Sequence, residues 1–297
     1  RYDKLKGIDE INPLNLIKNY ITKNNTRDIS LENLANYMRK PVEQVEAQLL
    51  TLANRGFLVY DVDQKVAHVN SKLIDYVNAQ AGKSDYDVIY FNSFVNNDAN
   101  GVLSLDSFDL KIQGVRMIVM SDSQQVHIYP KNSEVILKKG MNFVFSGKIE
   151  AGLFDFYARD CSFAYNKFRI DLPQVDSMLF YVKSKVFDPK KGIYPLVKMN
   201  TAITNLSGYL LIDDPKNKSG LKMLPQYPIF TNSSKAFVNW SKGSVQKGLY
   251  AKDKFYYEVN PFTINSLDVL ATDSLKFTGS LATAGIFPEI TEPLKVR

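Results

Sequence analysis

Apolar side chains near the start of the chain recur every three or four residues, which is the period of an amphipathic helix. Leu14, Ile17 and Ile21 share one face and predict a helix over residues 11–24. Ser30 then precedes a second apolar stretch of helical period and is placed to cap its N-terminus. The chain therefore begins with helices rather than strands.

A third helix is predicted over residues 41–54, because Pro41 suits the first turn of a helix and ends the one before it. Its buried stripe is predicted to consist of Val42, Val45, Leu49 and Leu50. Two strand-like runs flank residues 61–64 and predict a hairpin, with His68 facing the helices beneath it. A last helix is predicted over residues 71–77.

The order of helix, helix, tight turn, helix and hairpin over residues 10–80 resembles the winged-helix family. The likeness is carried by residues 30–69, in particular the turn at residues 39–41 and the segment 54–58 that enters the hairpin. In DNA-binding members the third helix enters the major groove. The resemblance therefore implies either a DNA contact or a structural, protein-contacting use of the same fold.

The residues that would face DNA favour the protein-contacting use. The third helix is predicted to expose Glu43, Gln44, Glu46 and Gln48. The hairpin tip adds Asp61 and Asp63, and phosphate attraction dominates affinity for nucleic acid. The DNA-binding alternative rests on four basic side chains, Arg39, Lys40, Arg55 and Lys65.

From Asp85 onward, short strand-like runs replace the helical period. The predicted strands are residues 86–90, 101–105, 108–112, 115–119, 126–129, 135–137, 143–145, 152–156, 168–170 and 178–182. Prolines are scattered through residues 183–275, which are predicted to be excursions from the β core. The chain is thus predicted to be an α+β, multidomain protein, with a winged-helix-like domain at 1–83 and an all-β domain at 84–297.

An internal echo bears on the architecture of the β region. Residues 145–154 and 277–287 both read Phe, hydroxyl, Gly, any residue, aliphatic, spacer, Ala-Gly, aliphatic, Phe. Repetition marks stacked or duplicated units, and the glycines could allow tight bends between short strands. The glycines are Gly147, Gly152, Gly279 and Gly285. The echo favours a β-solenoid (β-helix-like) region, with a β-sandwich as the alternative.

Residues 119–130, 145–154 and 285–288 resemble stretches of large uncharacterised exported bacterial proteins. The resemblance extends over residues 85–297 and implies an extracytoplasmic location, in the periplasm or at the cell surface. It also implies that the chain is a fragment of a larger protein. It brings no activity with it.

Charge and composition narrow the partners. The 297 residues include 37 Lys and Arg against 31 Asp and Glu, a net charge of +6. Residues 1–83 hold 12 basic and 10 acidic side chains, so the surplus is spread thinly rather than gathered into a nucleic-acid footprint. The chain has no run of about 18 apolar residues, which is the length that a membrane-spanning helix requires.

The inventory of reactive residues is small. The single cysteine, Cys161, excludes an intrachain disulfide and a thiolate metal site, and a buried thiol is expected there. With two histidines and no phosphate-binding, nucleophile-elbow or metalloprotease motif, neither cofactor nor metal is predicted. The acidic turn at 213–220 lacks the ligand pattern of a calcium loop, so a plain turn is expected. Trp240 is expected to be a partly buried packing aromatic, with a sugar-stacking platform as the alternative.

Glycoside hydrolysis is the one enzymatic route left, since it needs only two carboxylates and a groove. The acidic residues on neighbouring segments are Asp155, Asp160, Asp171 and Asp176. The sequence does not single out two of them, so the prediction leans away from an enzyme. The favoured function is a non-catalytic scaffold or binding module with an unknown protein partner. A carbohydrate-active enzyme or glycan-binding protein is the first alternative, and a DNA-binding regulator is the second.

Overall fold

The computed structural model describes residues 12–96, 99–184, 186–190, 192–199, 201–241, 251–269 and 275–295. The chain divides into two compact units, Arg1–Asp87 and Val88–Arg297, close to the predicted boundary after residue 83. The first unit is mainly helical and the second is mainly β, so the coarse α+β prediction is confirmed.

The helical elements of the first unit form where the apolar period predicted them. The elements are α1 (Pro13–Asn24), β1 (Asp28–Ser30), α2 (Leu31–Met38), α3 (Val42–Asn54), β2 (Leu58–Asp61), β3 (Val66–Val69) and α4 (Ser71–Gln80). Ser30 caps α2 as predicted, because its hydroxyl accepts a hydrogen bond from the Asn33 amide at 3.3 Å. The sequence pattern did not reveal β1, which pairs with β3 to make a three-stranded antiparallel sheet in the order β1-β3-β2.

The second unit is built on one branched antiparallel sheet of 16 strands. Its strands are β4 (Phe91–Ser93), β5 (Gly101–Leu103), β6 (Leu110–Ile112), β7 (Val115–Ser121), β8 (Val126–Pro130), β9 (Val135–Leu137), β10 (Phe143–Ala151), β11 (Phe154–Ala164), β12 (Arg169–Lys183), β13 (Leu196–Lys198), β14 (Ile203–Leu211), β15 (Ile229–Asn232), β16 (Ala236–Asn239), β17 (Phe255–Val259), β18 (Phe262–Ile264) and β20 (Gly279–Thr283). A separate pair joins β19 (Lys276–Phe277) to β21 (Leu294–Lys295).

Four long strands, β10, β11, β12 and β14, belong to two arms of the sheet. β11 pairs with β10 and β12 along its whole length, whereas the two ends of β10, β12 and β14 each pair with a different neighbour on one side. The ladder of β10 with β11 shifts register between Phe145 and Gly147. One arm continues through β9 and β15, and the other through β8 and β16. Phe156 and Phe230 come from different arms, and their ring centroids lie 4.7 Å apart. The two arms therefore share one apolar core.

Three predictions for the β region need comment. The solenoid is not confirmed, because every described strand pair is antiparallel and no short coil repeats. The prediction that residues 183–275 lie outside the β core is wrong: β14 is a central strand, and its Ile203, Leu206 and Leu210 are buried. The strand predicted over residues 86–90 does not form, and the first strand of the second unit, β4, begins at Phe91.

Candidate functional site

The four basic residues of the DNA-binding alternative do not all lie together. Arg39 and Lys40 are adjacent in the turn between α2 and α3. Arg55 follows the other end of α3, about 20 Å away at 1.5 Å per residue. Lys65 lies in the β2–β3 turn, where its carbonyl accepts a hydrogen bond from the Leu31 amide at 2.9 Å.

The exposed surface of α3 is a mixture of polar and apolar side chains, with Glu43 as its one exposed charge. The helix contains no lysine or arginine, and Glu43 lies in its first turn. The buried stripe consists of Val45, Leu49 and Leu52. The prediction that Val42 and Leu50 are buried is wrong, since they are 37% and 43% exposed. At about 100° per residue, Val42 lies beside the stripe, whereas Leu50 lies about 100° beyond Leu49, on the exposed face of the helix.

Two polar contacts join elements of the first unit, one between β2 and α3 and the other between β3 and β1. The Tyr60 hydroxyl donates a hydrogen bond to Glu46 at 2.8 Å, and burial together with that carboxylate raises the pKa of Tyr60 to about 12. His68 is exposed and its Nδ1 lies 2.6 Å from Asp28, so the prediction that it faces the helices is wrong. Strand alternation explains the error, because Ala67 and Val69 take the inward positions on β3.

In the second unit, the strongest concentration of charge surrounds Asp155, and we call it the Asp155 cluster. It consists of Tyr129 on β8, Lys148 and Glu150 on β10, Asp155 and Tyr157 on β11, Tyr181 on β12 and Lys198 on β13. Residues 154, 156 and 158 of β11 face the core. Because side chains alternate along a strand, Asp155 and Tyr157 lie on the opposite side of the sheet. The carboxylate of Asp155 is nevertheless only 3% exposed, because the neighbouring side chains cover it.

Every oxygen of the two carboxylates in the cluster has a partner. Asp155 Oδ1 lies 3.3 Å from Lys148, while Oδ2 lies 3.2 Å from Lys198. The Tyr181 hydroxyl also donates to Oδ2, at 3.0 Å. Glu150 accepts from Lys148 at 2.5 Å and from the Tyr129 hydroxyl at 2.9 Å. The cluster thus connects five strands through a buried negative charge.

The electrostatics of the cluster keep its two lysines protonated. Partial burial by itself would lower the pKa of Lys148, but the hydrogen bond to Glu150 and the charge of Asp155 outweigh it and raise that pKa. The hydrogen bond to Asp155 likewise raises the pKa of Lys198. Desolvation and Glu150 raise the pKa of Tyr129. The lysines therefore stay protonated at neutral pH, as counter-ions rather than as bases.

The remaining acidic candidates are spread over separate ion pairs. Asp171 lies 2.8 Å from Arg169, and Asp176 lies 2.5 Å from Arg159. Asp160 lies at the bulge of β11 and borders an open groove. The acidic residues named from the sequence thus do not form one site with two free carboxylates over the part of the chain that is described.

Asp213 is fully buried and organises the acidic turn at residues 213–220. Its Oδ2 accepts from Asn217 at 3.0 Å and from Gln124 at 3.2 Å, and its Oδ1 accepts from the Asp214 amide. Burial raises the pKa of Asp213. Because N–H groups of the protein already bind both oxygens of this carboxylate, the arrangement is that of an ordinary turn.

Cys161 is fully buried, as predicted. Burial, with a smaller effect from the charge of Asp160, raises the pKa of its thiol to about 12. We expect Ellman's reagent at about pH 8 to leave the folded chain unmodified and to label one thiol per chain in denaturant, because the thiolate is the reactive form. Rapid stoichiometric labelling of the folded chain would contradict this.

Three further observations concern metal sites, the single tryptophan and membrane spans. In the described ranges, no three His, Cys, Asp or Glu side chains gather as a metal site would require. Trp240 is half-buried and packs edge-on against Phe255, with ring centroids 5.8 Å apart. None of the helices described has the length and hydropathy that crossing a bilayer requires.

Comparisons with known proteins found no relative of this chain. No protein-family model, no curated protein and no solved structure matches the chain.

Proposed function

We propose that the chain is a non-catalytic binding module whose helical unit is a winged helix used for protein contact. The observation that carries the proposal is the surface of α3, which would enter the major groove in a DNA-binding member of that family. It has no basic residue, and it exposes Glu43, Val42 and Leu50. No side chain of this helix attracts phosphates and Glu43 would repel them, whereas exposed apolar side chains among polar ones suit a protein surface.

The order of elements supports the winged-helix assignment. A short strand, β1, lies between the first two helices and pairs with β3 of the hairpin. The hairpin strands β2 and β3 follow α3, and the Asp61 carboxylate closes the turn by accepting from the amides of Asp63 and Gln64. That carboxylate lies at the tip of the hairpin, where a DNA-binding wing would need a cation.

For the β unit we favour the sandwich over the solenoid. Antiparallel pairing and two arms that share long, bulged strands support two packed layers. The saturated carboxylates of the Asp155 cluster support a scaffold rather than a glycosidase, because a general acid needs a free carboxyl group beside the substrate. The resemblance to exported bacterial proteins is the ground for proposing an extracytoplasmic location and a larger parent protein.

The test is a titration of fluorescently labelled duplex DNA at about 50 and 200 mM salt, with the double variant Arg39→Glu, Lys40→Glu in parallel. We expect the unmodified chain to bind more weakly than about 10⁻⁴ M, below ordinary non-specific binding, and the variant to behave like it. The charge-matched control carries Lys23→Glu and Lys83→Glu, which lie on other elements.

Two results would overturn the proposal. The first is micromolar DNA binding that falls steeply with salt and is lost in the Arg39→Glu, Lys40→Glu variant but not in the control. The second is release of reducing ends when the purified chain is incubated with polysaccharides. DNA binding would favour a regulator, and hydrolysis would favour a carbohydrate-active enzyme.

A further inference from the structure

A groove of about 530 Å³ opens beside the bulge where β10 meets β11. Its volume lies in the range of small-molecule sites. Ile136 and Val144 supply apolar surface, while Lys131, Asn132, Ser146 and Asp160 supply polar groups. These side chains come from both sides of the bulge, so the local irregularity of the sheet shapes the groove.

The bulge aims Asp160 into the groove. Phe145 pairs with Cys161, but Gly147 pairs with Ala158, so Ser146 faces two residues instead of one. Asp160 takes left-handed backbone with φ 54°, and its amide donates to the Ser146 hydroxyl at 3.0 Å. A bulge that re-aims a side chain is a feature common beside functional sites.

A second lining residue shares the left-handed backbone of Asp160. Asn132, on the other wall, has a φ of 56°, and its neighbour Ser133 has a φ of 54°. Non-glycine residues in this region carry a cost that the surrounding structure must offset, and they cluster at ligand clamps. Glycine would adopt the backbone of Asn132 and Asp160 without strain, so the side chains at these two positions are the reason to look for a function.

The charges of the groove select the class of ligand. Glu134 is paired with Lys111 at 2.6 Å, and Arg159 with Asp176 at 2.5 Å. Within the described residues, Asp160 has no ion-pair partner. Lys131 lines the groove as well. An anion in the groove would face the Asp160 carboxylate, and a cation would face the Lys131 ammonium group and the guanidinium of Arg159. A neutral ligand with many hydroxyl groups avoids both penalties.

We infer that the groove binds one sugar unit of a neutral glycan. Asp160 accepts hydrogen bonds from ring hydroxyls, and the Asn132 amide and Ser146 hydroxyl both donate and accept. The C–H face of the sugar lies against Val144 and Ile136. The openness of the groove to solvent allows the rest of the glycan to continue outward. The inference rests on the proposed role as a binding module and supplies its ligand class.

The test is isothermal titration of the full chain with maltotetraose, cellotetraose, mannotetraose and chitotetraose. We expect one of these to bind and Asp160→Gly to weaken its binding about ten-fold or more, the loss of one hydrogen bond to a charged acceptor. Because glycine relieves the positive φ, the melting temperature of Asp160→Gly should equal or exceed that of the parent. The matched control is Asp171→Asn, which removes a carboxylate outside the groove and should leave binding unchanged.

The outcomes separate this inference from the proposed function. Oligosaccharide binding that is equal in the parent and in Asp160→Gly would overturn the groove as the site. Absence of binding to all four sugars, or binding of free lysine or glutamate instead, would overturn the ligand class and leave the protein-contact proposal standing. Cleavage of a sugar that is lost in Asp160→Gly would support the groove and overturn only the non-catalytic role.

Discussion

Replacement of Asp155 by asparagine is expected to lower the free energy of unfolding by about 3 kcal/mol. The change keeps the shape of the side chain but removes the buried charge that two ammonium groups share. Lys148 and Lys198 are 27% and 41% exposed, so water compensates part of the loss. The expected value therefore lies at the lower end of what breaking a buried ion pair costs. Urea unfolding followed by circular dichroism measures it.

The pH dependence of this difference follows from the lysines. The pKa values of Lys148 and Lys198 are raised in the folded chain. Their attraction to the carboxylates therefore stabilises the fold fully below the unfolded lysine pKa of about 10.4, and it is lost as pH rises through the raised folded values. The difference between parent and Asp155→Asn should be flat near neutral pH and should shrink in alkaline solution.

Asp176→Asn is the matched control, since it removes an ion pair at which both side chains are 49% exposed. Exposed pairs contribute about 0 to 1 kcal/mol, so this variant should unfold nearly like the parent. A cost for Asp155→Asn as small as that of the control would mean that water penetrates the Asp155 cluster. The five strands would then be held by backbone pairing and the apolar core alone.

The sequence named Asp155 as a candidate but not its partners, and the reason is distance along the chain. Tyr181 and Lys198 follow it by 26 and 43 residues. Pairing of strands so far apart depends on tertiary register, which local alternation does not encode. Lys198 also lies within residues 183–275, which were predicted to be irregular because of their scattered prolines. In the structure, those prolines lie in connections or at strand borders, while β14 keeps its apolar alternation.

The first unit was predictable because its signals are local. The helical period, the Ser30 cap and the turn before α3 each depend on residues within one or two turns. The error at Val42 arose at the flank of the stripe, where a small rotation about the helix axis decides burial, whereas Leu50 lies about 100° beyond Leu49 and was misplaced because its neighbour is buried. The groove at Asp160 could not be foreseen, because a bulge shows only when two strands are set side by side.

The internal echo of the sequence has a structural counterpart in one respect. Gly147 opens the five-residue ladder of β10 with β8, and Gly279 opens the five-residue ladder of β20 with β17. Both glycines lie where a neighbouring strand's carbonyl leaves no room for a Cβ atom. They allow close approach of strands rather than the bends predicted for them. Gly152 and Gly285, which follow these strands, do take left-handed turn conformations.

Gly147→Ala is expected to lower the free energy of unfolding by about 4 kcal/mol, a large part of the total for many domains. An added Cβ would lie 2.2 Å from the Tyr129 carbonyl oxygen, and the φ of 154° is one that alanine rarely adopts. Gly279→Ala meets the Glu258 carbonyl oxygen at 1.9 Å without an unusual φ, so about 2 to 3 kcal/mol is expected.

Gly285→Ala controls for backbone strain alone, since its φ is 79° and nothing lies within 4 Å of the added Cβ. This variant should lower the free energy of unfolding by about 1 kcal/mol. Thermal and urea unfolding of the three variants measures the order of costs, Gly147 above Gly279 above Gly285. Equal costs at all three positions would show that strand approach is not what selects glycine at the echoed position. The echo would then reflect turn chemistry alone.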